Sequence, residues 1–124
     1  MILADTSIWV DHLRVGNKQL RDLLEQGQIA IHPFIIAELA LGSLKERGKT
    51  LALLDLLPQA RVAQLSEARH TIEARHLYGL GIGLIDAHLI ASVFISINAP
   101  TLLWTKDKRL RTAAERLGIH ARLP

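Results

Sequence analysis

The chain opens with a short apolar segment, residues 2–4, that ends at once in Asp5 and two hydroxyl residues, Thr6 and Ser7. An apolar run bounded in this way is typical of a buried β-strand, and Thr6 or Ser7 can cap a helix that begins at Ile8. The order predicts that Asp5 lies at the carboxyl end of a strand, where open α/β sheets bind their ligands. The rest of the chain is therefore expected to supply a sheet around this strand.

Strand-like and helix-like patterns alternate along the rest of the sequence. Short apolar runs predict strands at residues 2–4, 28–32, 61–64, 101–104 and 119–122. Apolar residues at helical spacing predict two helices between residues 8 and 26, then helices over 34–46, 50–57, 66–78 and 84–97, and a last one that begins at Thr105 or Asp107. This alternation predicts the α/β class, with a parallel sheet covered by helices on both faces, in a single domain spanning residues 1–124.

Composition excludes several kinds of protein. Hydrophobic residues make up 49% of the chain and charged residues 22%, which is a globular rather than a disordered composition. Cysteine is absent, so the chain has neither disulfides nor thiolate metal sites. The first residues lack the basic and long apolar regions of a signal peptide, and no apolar run reaches the roughly 18 residues of a membrane-spanning helix. We therefore expect a cytoplasmic protein with no membrane partner.

Three later carboxylates are expected at the same end of the sheet as Asp5. Asp107 follows the predicted strand 101–104, and Asp86 falls in the first turn of a predicted helix, where the helix dipole favours a negative charge. Glu38 lies in the middle of an apolar helix, and a buried carboxylate needs a partner or a metal. We expect the four acids to converge at one edge of the sheet. Each aspartate after a strand also has a structural explanation, since such a residue is often only a helix cap.

Four converging carboxylates would repel one another unless cations were present. Oxygen ligands without cysteine suit hard ions such as Mg²⁺ or Mn²⁺. Such ions can orient a phosphate, activate a water and stabilise a leaving oxygen. Ser7 and Thr105 each lie two residues from an aspartate, so they could hold metal-bound water or orient a carboxylate.

Two other patterns are better explained without a ligand. The three glycines of residues 79–83 lack the preceding strand and the full spacing of a phosphate-binding loop, which favours a flexible passage into the next helix. His70, Glu73 and His76 cover too wide an arc of a helix for a tight zinc site, so a solvated helix face is the better explanation.

Four short segments occur along the chain in a characteristic order. They are Ile2-Leu3-Ala4-Asp5-Thr6-Ser7, Ala37-Glu38-Leu39 with Gly42, Gly83-Leu84-Ile85-Asp86-Ala87 with Ala91, and Trp104-Thr105-Lys106-Asp107. Each motif is short, but the ordered set spans the whole chain. Together they make the sequence similar to the PIN-domain ribonucleases of the VapC toxin type.

The resemblance implies a fold, an activity and partners. The fold would be a three-layer α/β/α sandwich with a central parallel sheet, and the activity would be Mg²⁺- or Mn²⁺-dependent endonucleolytic cleavage of RNA by an activated water, without a covalent intermediate. The positions that match the family's acidic quartet and its supporting hydroxyls are Asp5, Glu38, Asp86 and Asp107, with Ser7 and Thr105. The resemblance further implies a homodimer and a VapB-like antitoxin that blocks the acidic site.

Two surfaces are expected to bind these partners. The formal net charge is +3, and basic residues at the rim of an acidic pocket would offset its repulsion of a polyanion. We expect RNA-backbone contacts from the basic cluster around Asp107, which consists of Lys106, Lys108, Arg109 and Arg111.

An apolar groove for a partner helix is expected at a stripe that consists of Ile35, Ile36, Leu39, Leu51, Leu54 and Leu57.

Three other functions fit parts of the pattern. Loss of quartet members would mark a non-catalytic interaction module of the same fold, whereas here all four acids are present. A phosphohydrolase that phosphorylates Asp5 typically carries a second aspartate two residues later, where this chain has Ser7. A DNA-directed nuclease of the same fold is not separated from a ribonuclease by the sequence, because phosphate contacts do not reveal the sugar.

Overall fold

A parallel sheet stands at the centre of the computed structural model, which describes the whole chain, residues 1–124. The strands are β1 (Ile2–Ala4), β2 (Ile29–Ala30) and β3 (Leu102–Trp104). The first strand of the sequence is the middle strand of the sheet, because β1 pairs in parallel with β2 on one side and with β3 on the other.

Isolated parallel bridges extend this sheet by one segment at each edge. Ile31 bridges to Gln59 beyond β2, and Leu103 bridges to His120 beyond β3. From β1 the chain therefore first adds β2 and the Gln59 segment on one side of the sheet, and it then adds β3 and the His120 segment on the other side. The carboxyl ends of β1 and β3 lie where this direction reverses, and doubly wound sheets bind their ligands at that point.

Seven helices connect the strands and cover both faces of the sheet. They are α1 (Thr6–Val15), α2 (Lys18–Glu25), α3 (Pro33–Ala40), α4 (Arg47–Asp55), α5 (Leu65–Ala74), α6 (Leu84–Ile95) and α7 (Lys108–Arg116). Helix α1 packs on α3 and α3 on α4, whereas α5 packs on α6. Because crossovers between parallel strands are right-handed, α1 to α4 cover one face and α5 to α7 the other. The predicted three-layer α/β/α class is confirmed.

The core between these layers is largely aliphatic. Leu3 of β1, Ile90 of α6 and the indole ring of Trp104 in β3 are fully buried. Helix α6 is buried at seven consecutive positions, 87–93, as expected of a helix that is apolar on all sides. Its first turn, which carries Asp86, is therefore anchored by the buried part of the helix behind it. None of the seven helices is long and apolar enough to cross a membrane.

Helix α3 is shorter than the sequence predicted. It ends at Ala40 rather than near Glu46, which has a left-handed backbone conformation with a φ of 47°. The Arg47 guanidinium donates hydrogen bonds to the carbonyl oxygens of Ala40 and Gly42, so it satisfies carbonyls that the helix end leaves free. Helix α4 begins at Arg47, and Gly48 lies inside it instead of preceding it.

No regular strand forms at residues 61–64 or 119–122, although His120 in the second predicted segment bridges in parallel to Leu103 at the edge of the sheet. Only the bridges at Gln59 and His120 occupy those edges. An edge segment has hydrogen-bonding partners on one side only, so little holds it in an extended conformation. The apolar character of these segments instead serves core packing, as the burial of Ala63 and Ile119 shows.

Two helices begin earlier than predicted because a different residue caps them. Asp5 itself, rather than a hydroxyl residue after it, is the N-cap of α1. Gln64 caps α5 two residues before the predicted start at residue 66, and the Gln64 backbone N–H donates to the Glu67 side chain at 2.9 Å. Helix α5 also ends at Ala74, short of the predicted end near Tyr78, because His76 has a left-handed φ of 54°.

Candidate active site

Asp5 lies at the centre of the site, immediately after β1, and only 5% of it is exposed. Both of its carboxylate oxygens accept hydrogen bonds from hydroxyl groups: Ser7 Oγ donates to Oδ1 at 2.5 Å, and Thr105 Oγ1 donates to Oδ2 at 2.5 Å. The Ile8 backbone N–H also donates to Oδ1, at 3.4 Å, as part of the helix cap. Asp5 is therefore both a cap and a carboxylate held by two side chains.

Burial and these hydrogen bonds act on the pKa of Asp5 in opposite directions. Burial raises the pKa above its usual range, because the charged form loses its hydration. The hydroxyls of Ser7 and Thr105 lower it, since they donate to the ionised form, but burial is the larger effect. A bound cation would therefore stabilise the ionised form of this buried carboxylate.

Thr105 connects Asp5 to Asp107. The Thr105 hydroxyl that donates to Asp5 also accepts from the Asp107 backbone N–H at 2.9 Å. Asp107 is the N-cap of α7, where its side chain accepts from the Leu110 backbone N–H at 2.9 Å. Ser7 completes the connection, since its Oγ accepts from the Lys106 backbone N–H at 3.0 Å.

Glu38 reaches the same end of the sheet from α3. It is half-buried near the end of that helix, and not in the middle of a long buried helix as the sequence predicted. Its partner is Thr6, whose Oγ1 donates to Glu38 Oε1 at 2.6 Å. Thr6 therefore connects Glu38 to the segment that carries Asp5.

Asp86 lies in the first turn of α6 and accepts from the Gly83 backbone N–H at 3.2 Å. Burial is the largest cause of its raised pKa, and the negative charges of Asp107, Asp5 and Glu38 raise it further. Asp86 is thus close enough to each of the other three carboxylates to be affected by its charge. The structure brings together all four acids that the sequence singled out.

The donor set fits a hard divalent cation. Carboxylate and hydroxyl oxygens are the ligands that Mg²⁺ and Mn²⁺ prefer, and a cation would relieve the repulsion that raises the pKa of Asp86. No three His, Asp or Glu side chains are arranged to hold one ion directly. That arrangement still fits Mg²⁺, which is usually bound by one or two carboxylates and keeps several waters for substrate oxygens to replace.

The basic cluster around Asp107 divides into paired and unpaired cations. Lys106 Nζ forms an ion pair with Asp11 at 2.6 Å, and Arg111 Nε forms one with Glu115 at 3.0 Å. Lys108 and Arg109 are exposed and have no carboxylate partner.

The sequence patterns did not predict that Thr6 and Asp11 take part in the site, although a signal for Asp11 exists. Asp11 lies four residues after Ser7 in α1, so both side chains stand on one face of the helix. Thr6 was considered only as a cap. Its contact with Glu38 spans 32 residues and has no local signal.

Histidines near the site serve packing and capping. His88 is buried in α6 and packs edge-on against Phe34, with 4.9 Å between ring centres. His32 caps α3, where its Nδ1 accepts from the Phe34 backbone N–H at 3.0 Å. Burial, with a smaller contribution from the nearby His88, lowers the pKa of His32 to about 4. The His12 Nδ1 accepts from the Asn17 backbone N–H at 3.1 Å.

An apolar groove lies beside the acidic site, but its lining differs from the prediction. Of the predicted residues only Leu39 lines the groove, whereas Ile35 and Leu54 are buried and the others pack against the core. The observed groove, about 300 Å³, lies between α1 and the segment from α3 to α4. Its lining residues include Val10, Leu13, Arg14, Glu38, Leu39, Leu44 and Lys45.

The chain matches a known class of protein. A family model described as the PIN domain matches residues 2–116, so the chain belongs to the PIN-domain family. Two relatives from two strains of Mycobacterium tuberculosis, both named Ribonuclease VapC32, are each 43% identical to this chain over 119 residues, which is 96% of this chain and 94% of theirs. The resemblance to VapC-type ribonucleases inferred from the four motifs is confirmed.

A solved structure supports the fold independently. PAE2754 from Pyrobaculum aerophilum superposes with a TM-score of 0.60 at 16% identity, and the match covers 94% of this chain and 90% of that one. At this level of identity the likeness concerns the fold alone.

Proposed function

We propose that this chain is a metal-dependent endoribonuclease and the toxin of a VapBC-type toxin–antitoxin pair. The observation that carries the proposal is the arrangement around two acids: both oxygens of Asp5 accept from the hydroxyls of Ser7 and Thr105, and Asp86 lies within electrostatic reach of the other three carboxylates. The relatives named as ribonucleases support the choice of RNA as substrate.

The ion in this proposal is Mg²⁺ or Mn²⁺, held at the acidic quartet of Asp5, Glu38, Asp86 and Asp107. When bound there, such an ion would supply Lewis-acid activation of a water and stabilisation of the leaving oxygen. The proposed reaction is in-line hydrolysis, in which water attacks phosphorus, one P–O bond of the RNA breaks and no covalent intermediate with the chain forms.

The supporting residues would orient the acids. Ser7 and Thr105 direct both oxygens of Asp5, and Thr6 directs one oxygen of Glu38. The Gly83 backbone N–H holds Asp86 in the first turn of α6. Such outer hydrogen bonds typically change metal affinity or activity by about 10- to 100-fold when they are removed.

The basic cluster of Lys106, Lys108, Arg109 and Arg111 would contact the RNA backbone. These residues follow β3 or begin α7, at the edge of the acidic site. Cations at that rim offset the repulsion between four carboxylates and a polyanion. The aromatic content is only 4%, so base stacking contributes little to this proposal.

The groove beside Glu38 would bind the antitoxin. Its apolar side chains, Val10, Leu13 and Leu39, suit the apolar face of a helix, and Arg14 and Lys45 at its edges suit acidic residues on the partner. Because Glu38 also lines the groove, a segment bound there would block the acidic site.

A homodimer acting in the cytoplasm is part of the same proposal, and light scattering of the purified chain tests the dimer.

The first experiment compares cleavage of a mixed RNA pool by the wild type, Asp5→Asn and Asp86→Asn with added Mg²⁺ or Mn²⁺. EDTA is the control, single-stranded DNA is tested in parallel, and any copurified antitoxin is removed beforehand. We expect metal-dependent RNA cleavage that both substitutions abolish. Equal trace activity in all three proteins would contradict the assignment, and preferred cleavage of DNA would point to a DNA-directed nuclease.

The toxin role needs a separate test in cells. Induced expression of the wild type should arrest growth, Asp5→Asn should not, and co-expression of the reading frame just upstream should relieve the arrest. Leu13→Asp, which places a charge in the groove, should prevent the relief but leave the arrest unchanged. Relief that survives Leu13→Asp would contradict the role of the groove.

A further inference from the structure

Arg109 has an unusual position among the cations of this chain, because its side chain lies directly on the backbone of Gly81. A Cβ atom at Gly81 would lie 2.9 Å from Arg109 Nη1, 3.0 Å from its Cδ and 3.2 Å from its Cζ. Those distances are shorter than ordinary carbon contacts, so only glycine accommodates the arginine as it stands. Gly81 also has a φ of +75°, which side chains other than glycine rarely adopt.

The two residues in this contact belong to the two segments that hold Asp86 and Asp107. Arg109 is in the first turn of α7, two residues after its cap, Asp107. Gly81 is two residues before Gly83, whose backbone N–H donates to Asp86. The contact therefore places a guanidinium at the edge of the acidic site, between the segments that carry two of its four carboxylates.

No carboxylate of the chain uses this guanidinium. The ion pairs of the chain are Lys106 with Asp11 and Arg111 with Glu115, so two of the four cations around Asp107 are already neutralised. Arg109 is exposed, and its side chain makes no hydrogen bond. Since no carboxylate pairs with it, it is free to bind an anion brought in from outside.

We propose that Arg109, held in place on Gly81, binds a backbone phosphate of the nucleic-acid strand at the acidic site. A guanidinium suits this role because it can donate two parallel hydrogen bonds to one phosphate, and packing against Gly81 reduces the freedom that binding would cost. The inference rests on the proposed nuclease function. It selects Arg109 among the four residues of the basic cluster as the principal contact to the backbone phosphate.

The test measures binding without cleavage. A fluorescent single-stranded RNA is titrated with protein in EDTA, and the Kd is followed by anisotropy at several salt concentrations. Arg109→Gln should weaken binding about three- to tenfold and reduce the slope of log K against log salt by about 0.7, the value for one phosphate contact to a single strand. Arg109→Lys should restore part of the affinity, because it keeps the charge but not the planar fork.

Two matched controls separate the contact from general effects. Arg69→Gln removes the same charge from an exposed position on α5 and should leave both the Kd and the salt slope unchanged. Gly79 has nearly the same φ as Gly81, +74°, but has no atom within 4 Å of its Cβ position. Gly81→Ala should therefore weaken RNA binding more than Gly79→Ala, and it should add nothing in the Arg109→Gln background.

The outcomes distinguish this inference from the nuclease proposal. If the wild type binds RNA and Arg109→Gln binds it equally well with the same salt slope, the inference alone is overturned. If Arg109→Gln lowers kcat in the cleavage assay but leaves Kd and the salt slope unchanged, Arg109 positions the glycine segment and does not bind phosphate. If the wild type neither binds nor cleaves RNA, both proposals are overturned.

Discussion

Thr105 Oγ1 donates a hydrogen bond to Asp5 Oδ2 at 2.5 Å, and so connects two residues that are 100 positions apart in the chain. Each of them is the first residue after a strand, and their strands are neighbours: Ala4 of β1 pairs with Trp104 of β3. The Asp5 backbone N–H also donates to the Trp104 carbonyl at 2.9 Å. The parallel register of β1 and β3 thus decides which hydroxyl meets which carboxylate.

Removal of the Thr105 hydroxyl should weaken metal binding at the proposed site. Thr105→Val keeps the shape of this buried side chain but leaves Asp5 Oδ2 and the Asp107 N–H without their partner. We expect a loss of about 10- to 100-fold in activity or in the affinity for Mn²⁺, measured as the metal concentration that gives half-maximal cleavage.

Thr112→Val is the matched control for that measurement. Thr112 lies on the exposed face of α7, and its hydroxyl donates only to the Lys108 carbonyl. This variant should behave like the wild type. An unchanged metal dependence in Thr105→Val would show that the bond to Asp5 has no part in metal binding.

Neutralisation of Asp86 should stabilise the metal-free protein. Burial and the charges of Asp107, Asp5 and Glu38 raise the pKa of Asp86 above its value in the unfolded chain, so its ionisation destabilises the folded state at neutral pH. Because Asp86 is only partly buried, solvent screening limits the effect. We expect Asp86→Asn to raise the Tm in EDTA at pH 7 by about 1–4 °C, as measured by calorimetry.

The pH dependence of this difference checks its cause. Because the pKa of Asp86 is raised in the folded state, the folded state binds the carboxyl proton more tightly than the unfolded chain does. The loss of stability on ionisation is therefore absent below pH 3.8, the pKa of this carboxyl in the unfolded chain, and it appears as the pH rises through the folded pKa. The Tm advantage of Asp86→Asn should therefore disappear in acid. An advantage that persists there would have a cause other than charge.

His32 should make the protein sensitive to acid. Its side chain is fully buried, with a pKa lowered to about 4, whereas an unfolded histidine has a pKa of 6.5. The unfolded state therefore binds more protons between these values, and stability falls as the pH is lowered from 6.5 to about 4. We expect a loss of roughly 2 kcal/mol of unfolding free energy over this range, measured by urea denaturation.

Two variants isolate the contribution of His32. His32→Asn keeps a good helix-capping side chain but does not titrate, so the fall between pH 6.5 and 4 should become shallower even though the cavity lowers stability at every pH. His70→Gln replaces an exposed histidine and should leave the slope as it is. The same slope in His32→Asn and the wild type would contradict the prediction.

The central strand should be the part of the fold that tolerates truncation least. Leu3 is fully buried in β1, and Leu3→Ala should cost about 2–5 kcal/mol of unfolding free energy, since it removes buried methyl groups and leaves a cavity. Leu56→Ala is the control, because 80% of Leu56 is exposed and its truncation should cost less than about 0.5 kcal/mol. Similar urea midpoints for the two variants would contradict a core built around β1.

Much of the fold could be predicted because its signals are local. The apolar run at residues 2–4 and the proline at position 33 each determine nearby backbone structure, and α6 is apolar on every side. Element ends were predicted less well. The end of α3 depends on the Arg47 side chain reaching back to Ala40, and the edge strands depend on partners that only the assembled sheet provides.

Three acids of the candidate site were found in the sequence because each follows or begins a predicted element, and Glu38 was found because a carboxylate inside an apolar helix needs a partner. Their role as metal ligands stays a prediction, which the proposed cleavage and stability measurements test. The contacts that orient them were only partly foreseen: Ser7 and Thr105 stood near an aspartate in sequence, whereas Thr6 was not connected with Glu38.

The sequence by itself determined the α/β class, the place of β1 and the identity of the acids, since apolar periodicity and capping act over a few residues. Only the tertiary structure decided that Thr105 meets Asp5, that Lys106 pairs with Asp11 and that Arg109 lies on Gly81. These contacts join residues 28 to 100 positions apart, and they depend on strand register and on helix packing. Both are set by burial across the whole domain, which no local pattern encodes.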